Sequence, residues 1–175
     1  MAGINDVPER LINSRIYVDG NTCLGTGDVD LPSIEYMTET ISGAGIAGEA
    51  DTPILGHLQS MTIGITWRTI EASNVRLAAM KAHSLDIRGS QQIYDSAKGE
   101  YKTLPVRVSV KAAPKSVQLG KFAVGATTDT KTELEVTYLK VDIDGKTEVE
   151  IDKFNYVAKF GGEDQLESVR KDLGM

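Results

Sequence analysis

The sequence is poor in the residues from which many active sites and small scaffolds are made. One cysteine, Cys23, in 175 residues leaves no internal disulfide to staple the fold. Two histidines, His57 and His83, fall short of a Cys/His zinc set even with that thiol. Basic residues are outnumbered, with 19 Lys and Arg against 25 Asp and Glu. The resulting charge of −6 argues against a protein that grips phosphate backbones through a basic face. Wholly apolar runs extend over only a few residues, against the roughly 20 that a membrane-spanning helix needs. Met1 to Arg10 contains no apolar stretch of the signal-peptide kind. These absences predict a soluble cytosolic chain without membrane insertion, and its length corresponds to one domain on a prior of about 150 residues per domain.

What is abundant is a period of two, the mark of strands with one buried face. Residues 15 to 18 lead into Asp19-Gly20, a hairpin dipeptide, and the chain resumes at Thr22 to Leu24. From Gln59 to Thr69 the odd positions Met61, Ile63, Ile65 and Trp67 are apolar, and the positions between them are small or polar. Leu85 and Ile87 alternate again, a turn falls at residues 95–99, and Val106, Val108 and Val110 complete a longer hairpin. Residues 112–131 carry Pro114 and two glycines and predict a connecting loop, with a short strand near Phe122 to Val124. In the last third, Leu134 and Val136 occupy even positions, whereas Leu139, Val141 and Ile143 occupy odd ones. That change of phase at Tyr138 predicts a β-bulge, and Asp144-Gly145 predicts the next turn. The buried set expected from these patterns is Met61, Ile63, Ile65, Trp67, Val106, Val108, Val110, Leu139, Val141 and Ile143.

Two helices interrupt this β pattern. Ser73-Asn74 offers N-caps to a run of Val75, Leu77, Ala78, Ala79, Met80 and Ala82, which places a helix at about 74 to 83. Residues 162–165 begin a short C-terminal helix, with Arg170 and Lys171 at its negative end and Gly174 beyond.

Motifs that could carry chemistry lack the context they need. Gly43, Gly45 and Gly48 have the spacing of a dinucleotide-binding loop, but Pro53 and Gly56 follow where a helix should offer its N–H groups. Asp142 to Gly145 has part of a calcium loop, yet the twelfth-position glutamate would fall on Ile151. His83, Ser84 and Asp86 are adjacent without the convergent geometry of a triad, and no nucleophile elbow is present. Cys23 reads as a small buried hydrophobe and His57 as a solvated loop residue. No cofactor, metal or catalytic residue is expected.

The segment from Gly43 to Leu58 is the odd one out. It joins flexible glycines to Ile46, Ile54, Leu55 and Leu58 with no period that folds them onto the chain's own sheet. A loop both flexible and apolar suits burial against another subunit. Gly43, Gly45, Ile46, Gly48, Ile54, Leu55 and Leu58 are therefore candidate inter-subunit contacts.

The run Tyr138-Leu-Lys-Val-Asp-Ile-Asp-Gly-Lys-Thr-Glu-Val-Glu-Ile-Asp152, followed by Gly161 to Met175, resembles the end of the major tail tube proteins of contractile phage tails and R-type bacteriocins. The resemblance continues in Ile16 to Gly20, Leu31-Pro32, Gly43 to Gly48 and Ile87-Arg-Gly-Ser90. It implies a mainly β fold, an antiparallel β-barrel or orthogonal β-sandwich with one flanking helix, an extended loop and a short C-terminal helix. Residues 1–175 would form one tail-tube domain, with 1–14 as an N-terminal arm and 43–58 as the extended loop. The implied function is a non-enzymatic subunit of hexameric rings stacked helically into a hollow tube. Its implied partners are its own copies, the sheath, and baseplate or tube-initiator, tape-measure and tail-terminator proteins, with DNA in transit through the lumen. Assembly in the bacterial cytoplasm and release in a virion tail or tailocin would follow. A generic β-barrel ligand-binding module is the alternative. Within a ring, Glu35 and Glu39, four residues apart along an extended strand, are expected to face the lumen with the small polar row Ser60, Thr62 and Thr66.

Overall fold

The alternation from Met61 to Trp67 becomes a central strand of the core. In the computed structural model, which describes residues 5–25 and 27–175, Met61, Ile63, Ile65 and Trp67 are all buried. The strands in chain order are β1 (Asp6–Val18), β2 (Thr22–Gly25), β3 (Gly27–Asp30), β4 (Tyr36–Ser42), β5 (Glu49–Leu58), β6 (Thr62–Trp67), β7 (His83–Asp95), β8 (Glu100–Gln118), β9 (Thr130–Ile143), β10 (Lys146–Asp152), β11 (Val157–Phe160) and β12 (Glu163–Asp164). The helices are α1 (Ala72–Val75), continued by a 3-10 turn at Arg76–Ala78, and α2 (Glu167–Leu173).

Ten strands form one sheet whose path runs β12-β11-β10-β9-β8-β7-β1-β2, while β6 pairs with both β3 and β9. Strand β9 forks the sheet. Residues 130–135 of β9 pair with β6, and residues 138–143 pair with β10. The β3–β6 branch joins β1, β2, β7, β8 and β9 around a single core that includes Ile16, Leu24, Ile63, Leu85, Val110, Leu134 and Leu139. Of the two closures expected, the open one is formed: the sheets are sandwich-like, and β2 and β12 end the path without pairing to each other. Within the core, Trp67 Nε1 donates to Thr132 Oγ1 at 3.2 Å, satisfying the one polar atom of the indole.

The three hairpin turns fall where expected, with Asp19, Gly20, Asp144 and Gly145 all at positive φ and Asp95 accepting the N–H groups of Ala97 and Lys98. The change of phase also has its bulge. Lys111 pairs with Tyr138 and Ala112 with Val136, so Thr137 is the extra residue. Its hydroxyl donates to the Lys111 carbonyl at 3.2 Å.

Several expectations need correction. Ile143 is exposed, and Val106 and Val141 are only partly buried, because the β8–β9 pairing runs out beyond the core at that end. The helix expected at 74–83 is one turn plus a 3-10 turn. Glu71, not Ser73 or Asn74, is its N-cap. Asn74 is buried and turned back, accepting the Glu71 N–H at 3.0 Å and donating to the Thr69 carbonyl at 2.9 Å. Ala79 is already extended, at φ −64° and ψ 131°. Strand β8 continues past Pro114 by a register shift between Pro114 and Ser116, which lets a proline sit in a ladder. The loop is therefore only 119–129, and Phe122 to Val124 are not a strand. At the other end of the chain, Glu163 and Asp164 pair with β11, and α2 starts at Glu167, after the 162–165 segment expected to open it, with Asp164 accepting the Leu166 N–H at 3.1 Å. The expected 1–14 arm is described from Asn5 on, and Asp6 to Ser14 pair along β7 as part of β1; Met1 to Ile4 lie outside the described residues.

Candidate assembly interface

Strands β4 and β5 form a two-stranded sheet that, among the described residues, pairs with no other strand. Glu39 pairs with Thr52, Thr40 with Asp51, Ile41 with Ala50 and Ser42 with Glu49. Alternation therefore puts Thr38, Thr40, Ser42, Glu49 and Asp51 on one face, and Met37, Glu39, Ile41, Ala50 and Thr52 on the other. Every residue of β4 is exposed. So are Ile46, Ile54 and Leu55, the last at 57 %. An isolated two-stranded hairpin is marginal in water, and exposed apolar side chains grouped on one element mark an interaction surface. The turn between the strands holds Gly43, Gly45 and Gly48, at φ 137°, 94° and 134°. A strand follows them, so the dinucleotide-loop spacing serves a β-turn region.

The hairpin is held at its foot. Register jumps from Thr38–Pro53 to Tyr36–Leu58, so Ile54, Leu55, Gly56 and His57 bulge out opposite Met37 alone. Gly56 sits at φ 67° with Leu166 packed against it, where a Cβ would overlap the leucine side chain. A cleft of about 180 Å³ beside this contact is lined by His57, Ile151, Lys153 and Tyr156, among others. The Gln59 N–H donates to the Glu35 carbonyl at 2.8 Å, and Lys153 Nζ donates to the Gln59 carbonyl at 2.8 Å. Leu58, expected as an inter-subunit contact, is partly buried against this subunit's own core.

The five residues expected to share a lumen-facing surface occupy two sheets. Ser60, Thr62 and Thr66 lie on or beside the outer face of β6, Glu39 is on β4, and Glu35 immediately precedes β4. The β6 row is not a plain uncharged strip. Ser60 Oγ donates to Glu135 Oε2 at 2.6 Å, and Lys115 Nζ donates to Thr62 Oγ1 at 3.4 Å. Lys115 and Lys153 both pair with Glu135 at 3.7 Å. Burial raises the Glu135 carboxyl, but the Ser60 hydroxyl and the Lys153 and Lys115 ammonium groups outweigh it and hold it below the ordinary value.

On the outer face of the large sheet, β-register assembles a row that linear reading missed. Arg15 stands opposite Arg88, Arg88 opposite Arg107, and Arg107 opposite Asp142. Asp86 accepts from Arg107 Nε at 3.2 Å, from Arg107 Nη2 at 2.5 Å, from Ser109 Oγ at 2.6 Å and from Arg88 Nη2 at 3.4 Å. Burial pushes the Asp86 carboxyl up, and these donors more than reverse it, leaving it below the usual carboxylate value. Arg88 also stacks 4.4 Å above the Tyr17 ring. A sequence signal for the opposite charge does exist: from Ile16 to Trp67 there are seven acidic residues and not one Lys or Arg. Four of them, Glu35, Glu39, Glu49 and Asp51, belong to the hairpin or its foot.

The other singled-out residues have structural roles. Cys23 is exposed, contrary to expectation, because it pairs with Tyr17 and leaves the inward position to Leu24. His83 is buried with Nε2 3.2 Å from the Ala79 carbonyl, while Ser84 points outward. Asp142 accepts from Thr147 Oγ1 at 2.6 Å and pairs with Lys140, and Asp144-Gly145 is the turn itself. Among the described residues, no group of three His, Cys, Asp or Glu is placed to hold a metal ion, and no helix is long and apolar enough to cross a membrane.

An antiparallel β-sandwich that projects a hairpin of exposed side chains presents a surface of the kind that meets other chains. The sequence matches the model of the family described as phage tail tube protein FII over residues 8–174, and the chain belongs to that family as a structural tube subunit. It is 28% identical over 176 residues to the tail tube protein of Escherichia phage P2, covering 97% of this chain and 99% of that one. Its fold resembles that of a sheath/tube terminator from an extracellular contractile injection system, PVC, in its extended state. There the TM-score is 0.53 and the identity 16%, over 78% of this chain and 97% of the other.

Proposed function

We propose that this chain closes into hexameric rings that stack helically into the hollow inner tube of a contractile tail, with no enzymatic activity. The observation that carries this reading is the family match over nearly the whole chain, and the exposed hairpin supplies a surface in need of a partner. Contacts between different patches of one chain close into rings when the rotation allows and propagate as filaments when it does not. A tube uses both. The hairpin tip and bulge, Gly43, Gly45, Ile46, Gly48, Ile54 and Leu55, reach the adjacent subunit. Glu35, Glu39, Ser60, Thr62 and Thr66 face the channel, through which DNA passes in a phage. Sheath, tube-initiator, tape-measure and terminator proteins are the remaining partners, and assembly takes place in the bacterial cytoplasm before release in a phage or tailocin particle.

Size-exclusion chromatography and negative-stain microscopy of the purified chain test this directly. Rings or hollow tubes are the expected result. A chain that stays monomeric at every concentration and binds a small ligand would be a binding module instead.

A further inference from the structure

We propose that the polar face of the β4–β5 hairpin of one subunit lies on the arginine row of a second copy, so that Glu49 and Asp51 meet Arg15, Arg88 and Arg107 across the boundary. The proposal rests on the tube-subunit reading and names the surface that receives the hairpin. Its first support is electrostatic segregation. Residues 35–58, which make the hairpin and the chain entering it, carry four carboxylates and no Lys or Arg, whereas the outer sheet face aligns three guanidinium groups on neighbouring strands.

Like charges directly opposite one another in a sheet are unfavourable. Here Asp86 serves both Arg88 and Arg107, and Asp142, opposite Arg107, is shared with Lys140, so two carboxylates face four cations. Arg15 is exposed and forms no ion pair among the described residues. The row therefore holds more positive charge than its own carboxylates balance, and anions from outside the chain would relieve it.

Spacing supports the same match. Adjacent strands lie about 4.8 Å apart, so three arginines span roughly 10 Å, while Glu49 and Asp51 are separated by about 7 Å along their strand. Two carboxylates so placed can lie between three cations. Both acids sit on the polar hairpin face, and Asp51 is already oriented by the hydroxyl of Thr40, which donates to it at 2.6 Å. Because the acidic and basic surfaces are different elements of one chain, their contact is head-to-tail, the kind that propagates.

The test begins with tubes of the unmodified chain, seen by microscopy and sedimentation. Glu49→Lys with Asp51→Lys is expected to raise the concentration needed for assembly at least about tenfold, with an unchanged circular dichroism spectrum because both side chains are exposed. In a second measurement, Arg15→Lys keeps the charge and supplies an amine for zero-length carbodiimide coupling. Mass spectrometry of coupled tubes should then find the introduced lysine joined to Glu49 or Asp51 of another chain. Assembly of the double-lysine hairpin variant at the unmodified concentration overturns the proposal while leaving the tube reading intact. So do coupled tubes in which that lysine is joined to no hairpin carboxylate. Failure of the unmodified chain to assemble at all overturns the tube reading, and this proposal with it.

Discussion

Leu166 closes so tightly over Gly56 that a single added methyl group at the glycine would overlap the leucine side chain. This contact ties the foot of the projecting hairpin to the segment that leads into α2. Gly56→Ala meets both that overlap and a φ of 67°, which L side chains rarely adopt. It should cost about 1–3 kcal/mol of stability, read from the urea midpoint. Adding Leu166→Ala should remove the overlap, so the double variant loses less than the sum of the two single losses. Strict additivity would show that the two residues do not press on each other.

Val108 lies on the inward face of β8, 5 % exposed. Val108→Ala should cost about 1–3 kcal/mol through lost burial and the cavity left behind. A denaturation midpoint unchanged by this substitution would remove that face of β8 from the core.

The hairpin should be mobile in the isolated subunit and quiet in the tube. Amides of 43–58 are expected to exchange rapidly in the monomer and slowly after polymerisation. Complete protection in the monomer would count against a role between subunits. Ile54→Asp with Leu55→Asp should block polymerisation while leaving the fold intact, because the added charges are solvated until the interface buries them.

Acid should loosen the outer face of the large sheet through Asp86. Its carboxyl is held below the unfolded value of 3.8, so it stabilises the folded chain above that value. The contribution is lost as pH falls through the lower folded value. Asp86→Asn should therefore flatten the decline of the urea midpoint below about pH 4 and cost about 1–2 kcal/mol at neutral pH, since Arg107 is half-exposed and screened. An unaltered acid limb would assign the loss to other carboxylates.

If Glu35 and Glu39 face the channel, Glu35→Lys with Glu39→Lys should leave folding little changed and give assembled tubes new, salt-sensitive affinity for DNA. No added affinity at low salt, or labels at these positions that react from outside intact tubes, would place both residues elsewhere.

The parts of the fold legible in the sequence are those where one buried face imposes a strict period. Met61 to Trp67 and the Asp-Gly turns at 19–20 and 144–145 are of that kind. Strand β5 was not legible, since a ribbon exposed on both faces has no apolar side to alternate, and Pro53 and Gly56 read as loop. The helix at α1 is short because Asn74 spends its amide on the backbone of Thr69 and Glu71, a choice that propensity does not show. Of the candidate contacts, Ile46, Ile54 and Leu55 are exposed as the loop composition suggested, whereas Leu58 is partly buried against the core. The arginine row was beyond linear reading altogether, because positions 15, 88 and 107 become neighbours only through the register of three strands.

Thr137 gives β9 a further property. Ahead of it the inward side chains fall on even numbers, and behind it on odd ones, so one surplus residue acts as a phase correction between two stretches of one strand. The stretch before it is bound to the β6 branch and the stretch after it to the β10 branch. Removing that residue would leave each half well patterned by itself yet turn one of them inside out relative to the other. A change of one residue in length within β9 therefore reverses which face of one half is buried, whereas the tip of the preceding loop, residues 121–127, is exposed and has no buried face to reverse.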